Sequence, residues 1–195
     1  MPTFDILRET KPKKTFRVAS VMGKFDLQTE HIKEHFQGSI NLDNDWKIGL
    51  IVGGSGTGKT TIAKELFSNS YITKFNYKAE TILDDMPENK SVNDITKVFN
   101  SVGFSSPPSW LKPYSVLSNG QKMRVDLATA LLRNDKLIVF DEFTSVVDRT
   151  VAKIGSYAMQ KAIRKSDKQF IAVTCHHDVQ DWLLPDWIFN TDSMT

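Results

Sequence analysis

One cysteine, Cys175, stands among 195 residues, which rules out an intrachain disulfide and fits a reducing compartment. Net charge is also scarce. Twenty-five Lys and Arg against 23 Asp and Glu leave +2, too little to predict nucleic-acid binding from charge. The local basic cluster of Lys11, Lys13, Lys14 and Arg17 reads as a solvated N-terminal segment, with contact to an acidic partner as the sharper alternative. No apolar run approaches the roughly 20 residues of a membrane-spanning helix, and the N-terminus lacks the apolar core of a signal peptide. The expectation is therefore a cytoplasmic chain, unless a separate membrane subunit holds it. Internal repeats and low-complexity segments are missing too. What is present is apolar bulk, including 12 Phe and four Trp, sufficient for the core of one domain over residues 1–195.

Periodicity supplies an outline. Alternation predicts a strand over 15–21, a short helix is expected over 29–36, and a short strand over 79–83 ends at Asp84-Asp85-Met86-Pro87. Ser91 is placed to cap a helix bearing Val92, Ile95, Val98, Phe99 and Val102 on one face. The region 105–113, with three prolines, reads as loop, and a helix follows up to Arg133. Apolar runs at 47–52, 137–140 and 170–174 have the unbroken character of strands buried on both faces, and 187–190 is a plausible last strand. Helices at 62–67 and 151–163 alternate with these strands. Taken with the run 53–60, which fits the phosphate-loop pattern G-x-x-x-x-G-K-[ST] between a strand and a helix, this pattern predicts an α/β fold of the P-loop NTPase type, a mostly parallel sheet flanked by helices, with a small helical insert at about 88–133.

The run Gly53-Gly54-Ser55-Gly56-Thr57-Gly58-Lys59-Thr60 fits G-x-x-x-x-G-K-[ST], between a strand and a helix as that motif requires. Residues without a Cβ let the backbone turn sharply and aim N–H groups at phosphate oxygens. The helix N-terminus beyond, from Lys59 through Thr60 and Thr61, favours an anion. Lys59 is expected to reach the β- and γ-phosphates of a nucleotide, and the Thr60 hydroxyl to ligate Mg²⁺.

Two further blocks sharpen the chemistry. Leu137–Phe140 delivers Asp141 and Glu142 to the carboxyl end of a buried strand, where open α/β sheets bind ligands. Asp141 suits the oxygen shell of Mg²⁺, and Glu142 is placed to polarise a water for attack on a γ-phosphate. Ser118-Asn119-Gly120-Gln121, at the start of a helix, is either a simple cap with a glycine turn or a second anion receptor.

In order, the phosphate loop 53–61, Leu117–Gln121, Leu137–Glu142 and Cys175-His176-His177-Asp178 make residues 45–180 resemble the ATP-binding cassette (ABC) ATPases. Ser145-Val146-Val147-Asp148 is similar to that family's D-loop. The resemblance implies ATP and Mg²⁺ as ligands and a head-to-tail, ATP-dependent homodimer. In it, each nucleotide meets one copy's phosphate loop and the other's Ser118–Gln121. It also implies a switch histidine after the 170–174 strand. His176, nearer the strand end, is preferred, with His177 the alternative. The family's signature glycine is Asn119 here, and no glutamine occurs between Ile62 and Ser118 to serve as the Q-loop residue. Asp84 and Asp85 are candidates for that region, or ordinary turn acids. Phe16 and Phe25 are candidates for the family's adenine-stacking aromatic, or core residues. The tail 178–187 resembles soluble ABC ATPases found joined to acetyltransferase domains. The expected function is a soluble ABC-type ATPase acting on an unidentified macromolecular partner. The alternatives are the ATP-binding subunit of a membrane transporter, and a nucleotide-dependent interaction module with negligible turnover.

Overall fold

Five parallel strands carry the fold, and a computed structural model describes residues 2–27 and 32–195 of the chain. In chain order the elements are β1 Thr3–Thr10, α1 Phe16–Lys24, β2 Ile32–Ser39, β3 Ile48–Val52, α2 Lys59–Phe67 and β4 Tyr71–Ile72. There follow α3 Val92–Ser101, α4 Pro107–Trp110, α5 Asn119–Leu132, β5 Leu137–Phe140, α6 Arg149–Arg164, β6 Gln169–Thr174, α7 Val179–Leu183 and β7 Trp187–Asn190. The main sheet has the order β4-β5-β6-β3-β7, and every neighbouring pair is parallel. β1 and β2 form a separate antiparallel hairpin.

The unbroken apolar strands are explained by two cores, one on each face of the sheet. Ile48, Leu50 and Val52 of β3 join Ile138, Phe140, Phe170 and Ala172 on the face covered by α3, α5, α6 and α7. Ile51, Val139, Ile171, Val173 and Phe189 point the other way, toward Ile62 and Ala63 of α2 and Phe4 and Phe36 of the hairpin. Alternate residues of each strand thus enter opposite cores, so polar residues are tolerated on neither side. Each fully buried aromatic or aliphatic side chain is worth about 1.5–3 kcal/mol.

The chain leaves β3 for the β4 edge, works back through β5 to β6, and places β7 on β3's other side. The direction of travel therefore reverses between β3 and β6, and their carboxyl ends open the crevice where such sheets bind ligands. Side-chain caps fix the starts of α3 and α6. The Ser91 hydroxyl accepts from the Asp94 amide at 3.1 Å, and Asp148 Oδ1 accepts from the Thr150 and Val151 amides at 2.9 and 3.0 Å.

Three local expectations are corrected. Residues 15–21 belong to α1: Val18, Val21, Met22 and Phe25 recur at helical spacing, and Thr15 Oγ1 caps the Val18 amide at 3.3 Å. Residues 32–36 are strand, drawn into the hairpin by pairing with β1, and 29–31 lie outside the described residues. Residues 79–83 form a turn. The Asp85 carboxylate takes the Lys78 and Ala79 amides at 2.9 and 3.0 Å, leaving no ladder for a strand. The proline-rich loop also contains the short α4, with proline at its first turn, where the missing N–H costs nothing.

Candidate nucleotide site

The glycine-rich turn leaves β3 at Val52 and enters α2 at Lys59. Gly56 and Gly58 hold φ of 85° and 88°, the left-handed region that a Cβ penalises. Gly58 is constrained twice, since a Cβ there would lie 2.6 Å from Phe36 Cε1. The hairpin therefore braces the turn from one side. From the other, Gly54 N donates to Asp192 Oδ1 at 2.8 Å, and Thr57 Oγ1 lies 2.5 Å from Thr191 Oγ1 while donating to Gly54 O at 2.9 Å. The Gly54 amide is thus committed within the protein, and the N–H groups at the start of α2 remain as anion donors.

This turn floors a cleft of about 350 Å³ at the carboxyl ends of β3, β5 and β6. Lys59 lines it, with Nζ donating to Gly54 O at 2.5 Å. Asp141, only 4% exposed, accepts from Thr60 Oγ1 at 2.9 Å and from the Tyr71 hydroxyl on Oδ2, and from the Glu142 amide at 2.9 Å on Oδ1. Burial, and then the Asp141 carboxylate, push the Tyr71 hydroxyl above the usual phenol range, so it stays a donor. Glu142 is exposed into the cleft at φ 54°, and Thr144 follows at φ 68°. Left-handed backbone at two non-glycine positions, one β-branched, costs of order 1–3 kcal/mol each. Hydrogen bonds from Phe143 N to Val173 O at 2.9 Å and from Ser145 N to Glu142 O at 3.1 Å hold the turn in place.

After β6, Cys175 lines the cleft, whereas neither His176 nor His177 does. His176 is half-buried beside it. Burial and the nearby Arg149 lower its pKa, opposed by Asp178 and Glu142, and its Nδ1 is buried with no protein partner. Arg149 is held by a bidentate pair with Asp178 and by the Trp182 ring, 5.1 Å away. His177 Nε2 lies 3.8 Å from Asp192 Oδ2, the carboxylate group that secures the Gly54 amide.

Ser118–Gln121 is outside this cleft. Ser118 and Asn119 are exposed at the start of α5 in a capping box, with Ser118 Oγ accepting from Gln121 N at 3.3 Å and Gln121 Oε1 from Ser118 N at 3.1 Å. Gly120 packs against α6, where a Cβ would come 3.1 Å from Val151 Cγ1. Asp84 and Asp85 serve their own turn and do not line the cleft. Phe16 and Phe25 are neither core nor cleft, being 89% and 65% exposed.

The sequence reading missed Tyr71, Thr191, Asp192, Arg8 and Glu34. The last two line the cleft from the hairpin, and Arg8 donates to Thr61 Oγ1 at 3.1 Å. The alternation of Thr3-Phe4-Asp5-Ile6 was the available signal for the hairpin's first strand.

A family model described as ABC transporter matches residues 70–145, which include Ser118–Gln121, Asp141 and Glu142. The spermidine/putrescine import ATP-binding protein of Mycoplasma genitalium is 32% identical over 121 residues, 62% of this chain and 19% of that protein. The energy-coupling factor transporter ATP-binding protein of Malacoplasma penetrans is 33% identical over 107 residues, 54% of this chain and 33% of that protein. The chain thus spans a third or less of the length of these relatives. Among solved structures, an ATP-binding cassette of an ABC transporter in its ADP conformation aligns over 96% of this chain and 87% of its own, with TM-score 0.59 and 17% identity. A bacterial Atm1-family ABC exporter with ATP bound covers 74% of this chain and 32% of its own, also at TM-score 0.59, with 19% identity. These likenesses establish the fold. Together with the ordered sequence blocks, they make the chain similar to the ATP-binding domains and subunits of ABC transporters.

Proposed function

We propose that the cleft holds the triphosphate of ATP with Mg²⁺, that Glu142 polarises the attacking water, and that Ser118–Gln121 of a second copy completes the site. One observation carries this reading: the phosphate loop with Lys59, the Thr60–Asp141 contact and Glu142 converge on a single cleft. Thr60 Oγ1 and Asp141 Oδ2 are hard oxygen donors already in contact, the small protein share that Mg²⁺ takes when phosphates and waters supply the rest. Mg²⁺ held by these two oxygens would supply neutralisation of phosphate charge. Lys59 turns from Gly54 O to the phosphate oxygens. Glu142 accepts a proton as water attacks phosphorus in line, and the bond to the ADP oxygen breaks. His176, beside Glu142, is the candidate for orienting the γ-phosphate. In the partner copy, Ser118 Oγ already accepts from its own helix, yet its O–H remains free to donate to a phosphate oxygen.

The test is Mg²⁺-dependent phosphate release. Lys59→Ala is expected to lose nucleotide binding, and Glu142→Gln to keep it while turnover falls by about 10²-fold or more. Wild-type release no greater than that of Lys59→Ala would instead leave a binding module.

Turnover drives a macromolecular partner, and the similarity to ATP-binding proteins of spermidine/putrescine import and of an energy-coupling factor transporter supports a membrane subunit in that role. The lack of glutamine between Ile62 and Ser118 favours a second reading, an ATPase working apart from any membrane subunit. Capture with ATP-loaded Glu142→Gln separates them: a multi-span membrane protein recovered from solubilised membranes supports the first reading, and recovery of soluble partners only supports the second.

A further inference from the structure

One wall of the cleft comes from the hairpin rather than from the phosphate loop. Arg8 and Glu34 face each other across the β1–β2 ladder, so their side chains share one face of the hairpin. Two residues along, Ile6 and Phe36 are paired on that same face, and Phe36 is buried under Gly58. The apolar part of the face seats the hairpin on the phosphate loop, and its continuation carries a guanidinium and a carboxylate over the cleft.

The first turn of α2 fixes which end of a ligand they meet. Successive helical side chains diverge by about 100°. Thr60 Oγ1 turns to Asp141, while Thr61 Oγ1 turns to Arg8. A triphosphate with its terminal phosphate at the Asp141–Glu142 end therefore has its nucleoside end toward Arg8. Among the described residues lining the cleft none is aromatic, and Phe16 and Phe25 stand exposed elsewhere. The planar surface on offer is the guanidinium, which stacks on aromatic rings and is weakly hydrated.

We propose that Arg8 is the nucleoside-recognition residue of this cleft, its guanidinium stacking on the purine of ATP, with Glu34 across the strand holding that guanidinium in its plane. The inference rests on the nucleotide reading above and is tested so that the two fail separately. The probes are ATP and inorganic tripolyphosphate, titrated calorimetrically with Mg²⁺ against wild type, Arg8→Ala and Arg8→Lys. Thermal melts confirm that each variant is folded. Arg8→Ala should weaken ATP by about 3–30-fold while changing tripolyphosphate less than about twofold. Arg8→Lys, which keeps the charge without the plane, should bind ATP nearly as poorly as Arg8→Ala. Equal losses for both probes would make Arg8 a phosphate ligand and overturn the proposal, as would unchanged ATP affinity. Wild type binding neither probe would overturn the nucleotide reading, and this inference with it.

Discussion

Replacing Gly58 by alanine tests whether the hairpin braces the phosphate loop. Two separable costs arise. Holding alanine at φ 88° costs about 1–2 kcal/mol, and its Cβ would stand 2.6 Å from Phe36 Cε1, well inside contact distance, adding about 1–3 kcal/mol of overpacking. The sum, roughly 2–5 kcal/mol, is a large share of a typical folding free energy and corresponds to a Tm drop of roughly 4–20 °C at this chain length. Phe36→Ala removes the obstacle but opens a cavity, for about 3–5 kcal/mol on its own. The double variant places the new methyl in the vacated space, so the steric cost vanishes while the backbone strain stays. A double-mutant cycle by urea denaturation should therefore show about 1–3 kcal/mol of favourable coupling. Strict additivity, or a Gly58→Ala variant as stable as wild type, would refute the brace.

Two further outcomes are expected. Ser118→Arg should abolish ATP-dependent pairing and hydrolysis while single copies still bind ATP. Because it also removes an N-cap worth about 1 kcal/mol, Ser118→Ala is the matched control for stability, and hydrolysis preserved in Ser118→Arg would remove the role in trans. Asp126, half-buried and accepting the Tyr77 and Tyr114 hydroxyls at 2.8 and 2.9 Å, has its pKa raised by desolvation from 3.8 to about 6. A carboxyl that holds its proton more tightly when folded contributes stability below pH 3.8 that is lost as pH rises through about 6. The loss is about 3 kcal/mol, and denaturation midpoints of Asp126→Asn against wild type should diverge across that window. Parallel profiles would contradict the burial argument.

The parts of the molecule legible in the sequence were those where one chemical demand dominates. Ile48–Val52 and Leu137–Phe140 are apolar throughout because both their faces are buried, and that composition names a parallel strand without help. The glycines of 53–58 and the Ser118 cap are local backbone devices, visible as residue types at fixed spacing. The hairpin was not legible in the same way. In β2 the exposed Lys33, Glu34, His35 and Gln37 surround the buried Phe36, a mixed pattern that also fits a helix until β1 pairs with it. α1 was misread for the converse reason, since no residue of it is buried and nothing in the core selects its period. Arg8, Tyr71 and Asp192 reach the site through tertiary placement, over separations of 53, 70 and 138 residues from their partners, which no local pattern encodes.

The most direct test of the central claim, that two copies share each ATP, is the solution mass of Glu142→Gln with and without saturating Mg²⁺-ATP. The account predicts the mass of one 22.1 kDa chain without nucleotide and about twice that with it, measured by light scattering on a sizing column. A single-chain mass at saturating ATP, with ATP binding shown in the same sample, would contradict it.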